Sequence, residues 1–184
     1  MGYRCLSANS CQGCSRPSLP KNAASHYLVW WVFLSLTIPT TQLAISFTNI
    51  GANDSVLKHS PQYVPIDKFK ANLEHLIAMV HDSTSEYYSP QTRVLLLTPP
   101  PVGEAQRNAD LASRNPPLKP DREWNNSKAY ADAVIEIGKG KPRVEVVDIW
   151  EAIWAAAGED VARLPEFLSD GLHLTVAGYE VSKL

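Results

Sequence analysis

The amino-acid sequence predicts an α/β protein built on a parallel β-sheet. Short apolar segments alternate with longer segments in which apolar residues recur at helical spacing, a pattern typical of parallel α/β folds. One short segment, residues 93–97, is a nearly continuous apolar run, as expected for a parallel strand that is buried on both faces. Polar turns follow the strand segments, and open α/β sheets bind ligands at that end of their strands.

The first half of the predicted domain contains two strands and one long helix. Residues 43–47 form a short, mostly apolar strand, which leads to a glycine turn with polar side chains at residues 51–55. Residues 65–81 have apolar side chains at helical spacing, with a proline first and an aspartate in the first turn. After the strand at residues 93–97, prolines interrupt residues 99–120, for which we predict a long polar loop.

The second half repeats the alternation. Residues 122–137 have an apolar side at helical spacing and are followed by glycines, which indicates a helix and its end. Residues 144–149 are predicted as the third strand, and residues 150–157 as a short helix closed by a glycine. A last helix begins at about Val176 and has barely two turns.

Composition divides the chain into a divergent N-terminal segment, residues 1–42, and the α/β domain, residues 43–184. Residues 1–26 are polar and lack periodicity, which predicts a loop or disorder. All three cysteines of the chain, Cys5, Cys11 and Cys14, lie in this tail. Because no second pair follows Cys11-x-x-Cys14, they fit a loose, reduced tail better than a zinc or redox site.

An apolar run, residues 27–38, lies in a stretch without charged side chains. The run is shorter than the roughly 20 residues that span a membrane, and extending it to residue 47 includes a proline and a polar patch. Arg16 and Lys21 precede it, as in a signal-anchor with a cytoplasmic N-terminal side. We expect a cytoplasmic protein in which this run is buried or otherwise placed, with a single-pass membrane anchor as the alternative. The terminal Ser182-Lys183-Leu184 matches a peroxisomal address, which we interpret as accidental.

Charge and histidine spacing exclude two classes of function. The formal net charge is -2 and no stripe of Lys or Arg stands out, so we expect no nucleic-acid partner. The histidines His59, His75, His81 and His173 show no metal-ligand spacing, so we expect no metal site.

One short stretch carries a pattern typical of hydrolases. Asp170 and His173 lie three residues apart, separated by Gly171, which lets the backbone turn tightly. On such a turn the Asp170 carboxylate can accept from the imidazole, fix its tautomer and stabilise it when protonated. Asp-x-x-His is also a common sequence in ordinary turns, so this pair alone does not decide the function.

Three blocks taken together resemble the SGNH (GDSL-type) hydrolases, and within them the isoamyl-acetate-hydrolysing esterase group. They are Gly-Ala-Asn-Asp at residues 51–54, Val-Leu-Leu-Leu-Thr-Pro-Pro at 94–100 and Ser-Asp-Gly-Leu-His-Leu-Thr-Val-Ala-Gly at 169–178. The resemblance implies that Asn53 donates to the oxyanion, that Asp170 orients the base and that His173 is the general base. Taken alone, Asn53 would be an ordinary turn residue beside an aspartate.

The resemblance also implies a flavodoxin-like, three-layer parallel sheet, of which this sequence lacks a part. The family's nucleophilic serine lies in a Gly-Asp-Ser block after the first strand, and a glycine downstream gives a further oxyanion donor; neither is found here. The nearest imitation, Gly13-Cys14-Ser15, lies in the polar tail without a strand before it. We therefore expect a fold that is incomplete at its N-terminal side, with strand 43–47 at an open edge and the nucleophile unknown.

The resemblance predicts hydrolysis of short-chain, acetate-like carboxylic esters, without a cofactor and with a small-molecule ester as the partner. The missing nucleophile leaves an alternative of another class open. In that alternative the chain is catalytically dead and serves as an interaction or remnant protein, with the apolar run as its membrane anchor.

Overall fold

The computed structural model of this chain describes residues 44–47 and 51–182. The cysteine-containing tail, the apolar run at residues 27–38 and the last two residues of the terminal Ser-Lys-Leu lie outside the described residues. The elements in chain order are β1 (Ala44–Phe47), α1 (Ile66–His81), β2 (Arg93–Leu97), α2 (Glu104–Ser113), α3 (Trp124–Gly138), β3 (Val144–Val147), α4 (Ile149–Ala156), a 3₁₀ helix (Val161–Glu166) and α5 (Val176–Val181).

The three strands form one parallel sheet with the order β1-β2-β3. Ala44 of β1 pairs with Arg93 of β2, and Val94 of β2 pairs with Val144 of β3. Among the described strands β2 is therefore central and β1 lies at an edge. Because the strands are parallel, the polar turns that follow them meet at one end of the sheet.

The main core lies between the sheet and the helices α1 and α3. Val94 and Leu96 point to this face of β2 and are 0% exposed. Helix α1 forms because its apolar residues recur every three or four positions, and these same residues pack into the core. The buried members are Phe69, Leu73, Ile77, Val80, Val94, Leu96, Tyr130, Ala133, Val134, Ile137 and Val144.

A second core lies on the opposite side of the sheet. Its buried residues come from α4, the 3₁₀ helix and the segment after it, namely Ile149, Ile153, Ala157, Leu164, Phe167 and Leu168. Leu97 and Val147 pack against this cluster, and alternation along a strand turns them away from the face that holds Leu96 and Val146. The predicted α/β class with a parallel sheet between layers of helices is confirmed.

The predicted loop at residues 99–120 is wrong in part, because α2 lies within it. Helix α2 buries only two residues, Arg107 and Leu111, which are four positions apart on one helical face. One of them is charged, so a search for apolar residues at helical spacing does not detect the helix. The buried face of α2 therefore includes an ion-pairing side chain, that of Arg107.

The third strand ends earlier than its apolar residues suggest. Val147 is its last residue, and Asp148 caps α4 by accepting a hydrogen bond from the backbone N–H of Glu151 at 3.1 Å. Ile149, predicted as strand, is therefore the first residue of α4 and is buried in the second core. Sequence reasoning also missed the 3₁₀ helix, which contains a proline.

None of the helices in residues 51–182 has both the length and the apolar character that crossing a membrane requires. The last four residues of the extended apolar run, 44–47, are strand β1. Within the same part of the chain, no three His, Cys, Asp or Glu side chains lie close enough together to hold a metal ion.

Candidate active site

The segment between the 3₁₀ helix and α5 forms a tight turn that contains Asp170 and His173. An antiparallel bridge joins the two sides of the turn at Leu168 and Leu174. The backbone N–H of Ser169 donates to the carbonyl of His173 at 2.7 Å, and the Ser169 hydroxyl donates to the same carbonyl at 3.1 Å. The turn is therefore closed by its own backbone.

Helix α2 contacts this turn through Gly171. The N–H of Gly103, at the start of α2, donates to the carbonyl of Gly171 at 2.9 Å. Gly171 has φ +79°, and a Cβ at this position would lie 2.5 Å from both the Gly103 carbonyl oxygen and the backbone nitrogen of Arg107. Both the left-handed backbone and the close approach therefore require glycine here.

The turn brings the Asp170 carboxylate to the imidazole of His173. Asp170 Oδ2 lies 2.9 Å from His173 Nδ1. Because an ionised carboxylate only accepts, Nδ1 donates the proton, and Nε2 is left as the proton-accepting nitrogen of the neutral ring. The His173 side chain is 73% exposed, whereas that of Asp170 is 19% exposed.

The Asp170 carboxylate accepts four hydrogen bonds. Oδ1 accepts from the backbone N–H groups of Leu172 and His173 at 3.0 and 2.8 Å. Oδ2 accepts from His173 Nδ1 and from Arg107 Nη1, the latter at 3.1 Å. Partial burial acts to raise the pKa of Asp170, but the hydrogen bonds from His173 and Leu172 outweigh it and lower the pKa to about 2. The carboxylate is therefore ionised at neutral pH.

Asn53 lies in the polar turn that follows β1. Gly51 opens the described part of this turn with φ +93°, and its carbonyl accepts from the N–H of Ser55 at 2.9 Å. Asn53 is exposed. Its side-chain Oδ1 accepts from Nη2 of Arg122 at 3.2 Å. Because a guanidinium has only donors, this contact identifies the oxygen end of the amide and leaves Nδ2 as the donating end.

Two buried arginines and one aspartate connect the two turns. Arg107 is 6% exposed and Arg122 is 5% exposed. Arg107 binds both carboxylate oxygens of Asp121, from Nε at 3.1 Å and from Nη2 at 2.9 Å. Arg122 Nη1 donates to Asp121 Oδ2 as well. The structure thus joins Asn53 to Asp170 through Arg122, Asp121 and Arg107 in succession, and we call these three linking residues the Arg-Asp-Arg bridge.

The Arg-Asp-Arg bridge carries two positive charges and one negative charge, and Arg107 also pairs with Asp170. Burial acts to raise the pKa of Asp121, but the hydrogen bond from Arg107 and the charges of both arginines lower it overall. Burial lowers the pKa of Arg122. Next to Asn53, burial raises the pKa of Asp54.

A cavity of about 470 Å³ lies beside the turn with Asp170. It extends between the start of α2, the start of α3 and the 3₁₀ helix, and its lining includes Val102, Gly103, Trp124, Leu164 and Pro165. Gly103 is shared between this lining and the hydrogen bond to Gly171. The lining is largely apolar but includes Glu104 and Gln106, and none of Asn53, Asp170 and His173 lines the cavity.

The remaining residues considered from the sequence lie apart from this arrangement. Ser15 lies outside the described residues. Ser55 is 2% exposed and its hydroxyl donates to the carbonyl of Ala52 at 3.4 Å, as a turn residue does. His75 is exposed on α1, and the ring of His81 contacts the carbonyl of Thr92 at 2.9 Å.

Sequence reasoning missed Arg107, Asp121 and Arg122. Arg107 lies in the unpredicted helix α2, and Asp121 follows the predicted loop. Arg122 is the first residue of the helix predicted over residues 122–137, which begins only at Trp124 in the structure. Nothing in their local sequence distinguishes them from solvated charges. Arg107 and Arg122 are distinguished only by burial and by contacts to residues more than sixty positions away, and Asp121 by its contacts to these two arginines.

A model of the GDSL-like lipase/acylhydrolase family matches residues 39–181 of this chain. The chain is 32% identical, over 132 residues, to the isoamyl acetate-hydrolyzing esterase 1 homolog of Mus musculus, which covers 71% of this chain and 49% of that protein. It is 30% identical to the human homolog over 148 residues, which cover 79% of this chain and 53% of that protein. It is also 30% identical to a GDSL esterase/lipase of Arabidopsis thaliana over 134 residues, which cover 71% of this chain and 52% of that protein. A solved structure from Streptococcus pneumonia superposes with a TM-score of 0.49 at 23% identity, covering 78% of this chain and 56% of that one. The chain spans about half the length of the curated relatives it matches.

Proposed function

This chain belongs to the GDSL-like lipase/acylhydrolase family, and we propose that it hydrolyses short-chain carboxylic esters. In this proposal Asp170 orients the base, His173 is the general base and Asn53 is an oxyanion donor. The observation that carries the proposal is the 2.9 Å contact between Asp170 Oδ2 and His173 Nδ1. The carboxylate is held by three further donors, so the imidazole has one fixed orienting partner.

Each role follows from the chemistry of ester cleavage. His173 takes a proton from the attacking group through Nε2 and returns it to the departing alcohol. The ionised Asp170 stabilises the imidazolium that forms in between. Attack places negative charge on the carbonyl oxygen, and a fixed amide donor such as Asn53 Nδ2 stabilises that charge by about 3–4 kcal/mol in comparable sites.

The proposal of a short, acetate-like ester rests on the names of the mammalian relatives. The curated mammalian relatives are isoamyl acetate-hydrolyzing esterase homologs by name. The cavity of about 470 Å³ beside Gly103 does not define the ester, because none of Asn53, Asp170 and His173 lines it.

The nucleophile is the part of the site that the sequence does not identify. The sequence contains no Gly-Asp-Ser block, and Ser15 is the nearest imitation. This observation favours a second candidate function, in which the chain keeps the base and the oxyanion donor but is inactive and acts through interactions. An anchor in the N-terminal apolar run belongs to that second candidate.

The test is hydrolysis of isoamyl acetate by the purified full chain, measured as released alcohol. This ester is not activated, so exposed imidazoles elsewhere contribute little. We expect His173→Ala to lower the rate by about 10²–10⁴-fold, the usual contribution of a general base, and Asp170→Asn to lower it as well. His75→Ala, which removes an exposed histidine of α1, is the matched control and should leave the rate unchanged.

A fluorophosphonate probe identifies the nucleophile in an active sample, because it labels an activated serine that peptide mapping then locates. Ser15 is the first residue to examine. If a folded sample gives no alcohol above the level of His173→Ala and takes up no probe, the esterase proposal fails for this chain and the second candidate stands.

A further inference from the structure

We propose that Arg107 and Arg122 are positioning residues which, with Asp121 between them, hold the Asp170 carboxylate and the Asn53 amide in one continuous network. This inference rests on the proposed function, because it matters to catalysis only if Asn53, Asp170 and His173 have the roles given above. The geometry itself does not depend on those roles.

Arg107 fixes the Asp170 carboxylate from the side that the turn leaves open. The turn supplies three of the four hydrogen bonds to the carboxylate, all from Leu172 and His173. Arg107 Nη1 supplies the fourth, on the same oxygen that accepts from the imidazole. Since an ionised carboxylate has about four acceptor positions, all of them are then occupied. The carboxylate has no unused acceptor that would favour another rotamer.

The orientation of Arg107 is in turn fixed by Asp121. The Nε and Nη2 donors bind the two oxygens of one carboxylate, which is the two-pronged geometry that a planar guanidinium favours. Because Asp121 binds Nε and Nη2, the plane of the guanidinium is fixed and Nη1 points toward Asp170. Asp110 also approaches Nη1, at 3.5 Å.

Arg122 determines which way the Asn53 amide faces. Its Nη2 donates to Asn53 Oδ1, and its Nε donates to the carbonyl of Ala52 at 3.3 Å. A rotated amide would place its NH₂ group against a group that can only donate. Arg122 therefore keeps the amide with its oxygen inward and its Nδ2 donors available, as an oxyanion site requires.

A purely structural role would account for the burial of these charges but not for where the network ends. Removing one partner of a buried ion pair is destabilising anywhere in a protein, so a loss of stability does not test the proposal. The two ends of this network are the side chains of Asn53 and Asp170, both in the proposed site. A test must therefore measure the environment of the site side chains and not only stability. Each arginine should influence the site at both ends.

The experiment is nitrogen NMR of the full-length chain at pH 8. Long-range ¹H–¹⁵N spectra report the two ring nitrogens of His173, and a conventional spectrum reports the Asn53 side-chain NH₂. We compare Arg107→Met, Arg122→Met and the charge-retaining Arg107→Lys and Arg122→Lys, which lose the planar fork. Arg163→Met is the matched control, because Arg163 forms an exposed ion pair with Glu166 away from the network.

We expect both arginine substitutions to shift the signals of His173 and of Asn53, with the lysine variants intermediate, while Arg163→Met shifts neither. If a methionine variant fails to fold, its lysine counterpart decides. Folded variants that leave both signals in place, or that shift only the nearer one, overturn the proposal. These readouts need no turnover, so they are separate from the esterase test. In an active sample the same variants should lower kcat with KM little changed, with partial recovery in the lysine forms.

Discussion

Ionisation of Asp170 should stabilise the fold, and replacing it with asparagine should remove that contribution. The pKa of Asp170 is lowered from 3.8 to about 2. Because the folded-state pKa lies below the unfolded value, the contribution is complete above about pH 5 and is lost as the pH falls through 2. Asparagine has nearly the shape of the protonated acid, so Asp170→Asn resembles the low-pH form at every pH.

The size of the effect follows from the two pKa values. At about 1.4 kcal/mol per pKa unit, the lowering corresponds to at most about 2–3 kcal/mol. The turn is partly open to solvent, which screens the interactions and leaves about 1–2 kcal/mol. The difference in unfolding free energy between the native chain and Asp170→Asn should therefore be about 1–2 kcal/mol at pH 7. About half of it should be gone by pH 3.

The assay is urea denaturation of both proteins at pH 7, 4 and 3, followed by circular dichroism. Asp132→Asn is the control, since Asp132 forms an exposed ion pair with Lys128 that contributes at most about 1 kcal/mol. A difference for Asp170→Asn that stays constant from pH 7 to pH 3 would refute the reasoning. It would mean that shape, and not charge, accounts for what Asp170 does in the fold.

Two further predictions concern glycines that the packing requires. Gly171→Ala should cost about 2–4 kcal/mol in urea denaturation, because it adds a crowded Cβ near Arg107 to a left-handed backbone. Gly140→Ala, with a similar φ of +73° and no atom within 4 Å of the added Cβ, should cost only about 1–2 kcal/mol; equal costs would contradict the crowding argument. In α3, Gly138→Ala should lose about 1–2 kcal/mol because its Cβ would lie 2.2 Å from Val146 Cγ2. The double variant with Val146→Ala should be less destabilised than the two single costs added, and simple additivity would show that the two groups do not clash.

Regular apolar spacing made most of the fold predictable. Helix α1 buries Phe69, Leu73, Ile77 and Val80, which the sequence shows as a helical stripe. Helix α2 could not be found in this way, because the side chains that hold it are a leucine and an arginine that pairs with distant acids. In the local sequence, a charged residue that is buried and paired cannot be distinguished from a charged residue on a solvated helix face.

The candidate site was predictable where its contacts are local. Asp170 and His173 are three residues apart, so their spacing and the intervening glycine anticipate the hydrogen bond that the structure shows. Their catalytic roles and that of Asn53 stay predictions. The contacts of Arg107 and Arg122 join residues 63 and 69 positions apart, and no local pattern encodes such a pairing.

The parallel sheet has a consequence for the order in which the site assembles during folding. The register that pairs Ala44 with Arg93 joins segments 49 residues apart. The ion pair of Arg107 with Asp170 and the hydrogen bond of Arg122 to Asn53 close still longer loops. Contacts between remote segments are slow to form because the entropy of closing each loop is lost before the contact stabilises it. The bond between Asp170 and His173, by contrast, closes a loop of only three residues. In the folding of the whole chain, the acid–imidazole turn can therefore form before the Arg-Asp-Arg bridge links it to Asn53.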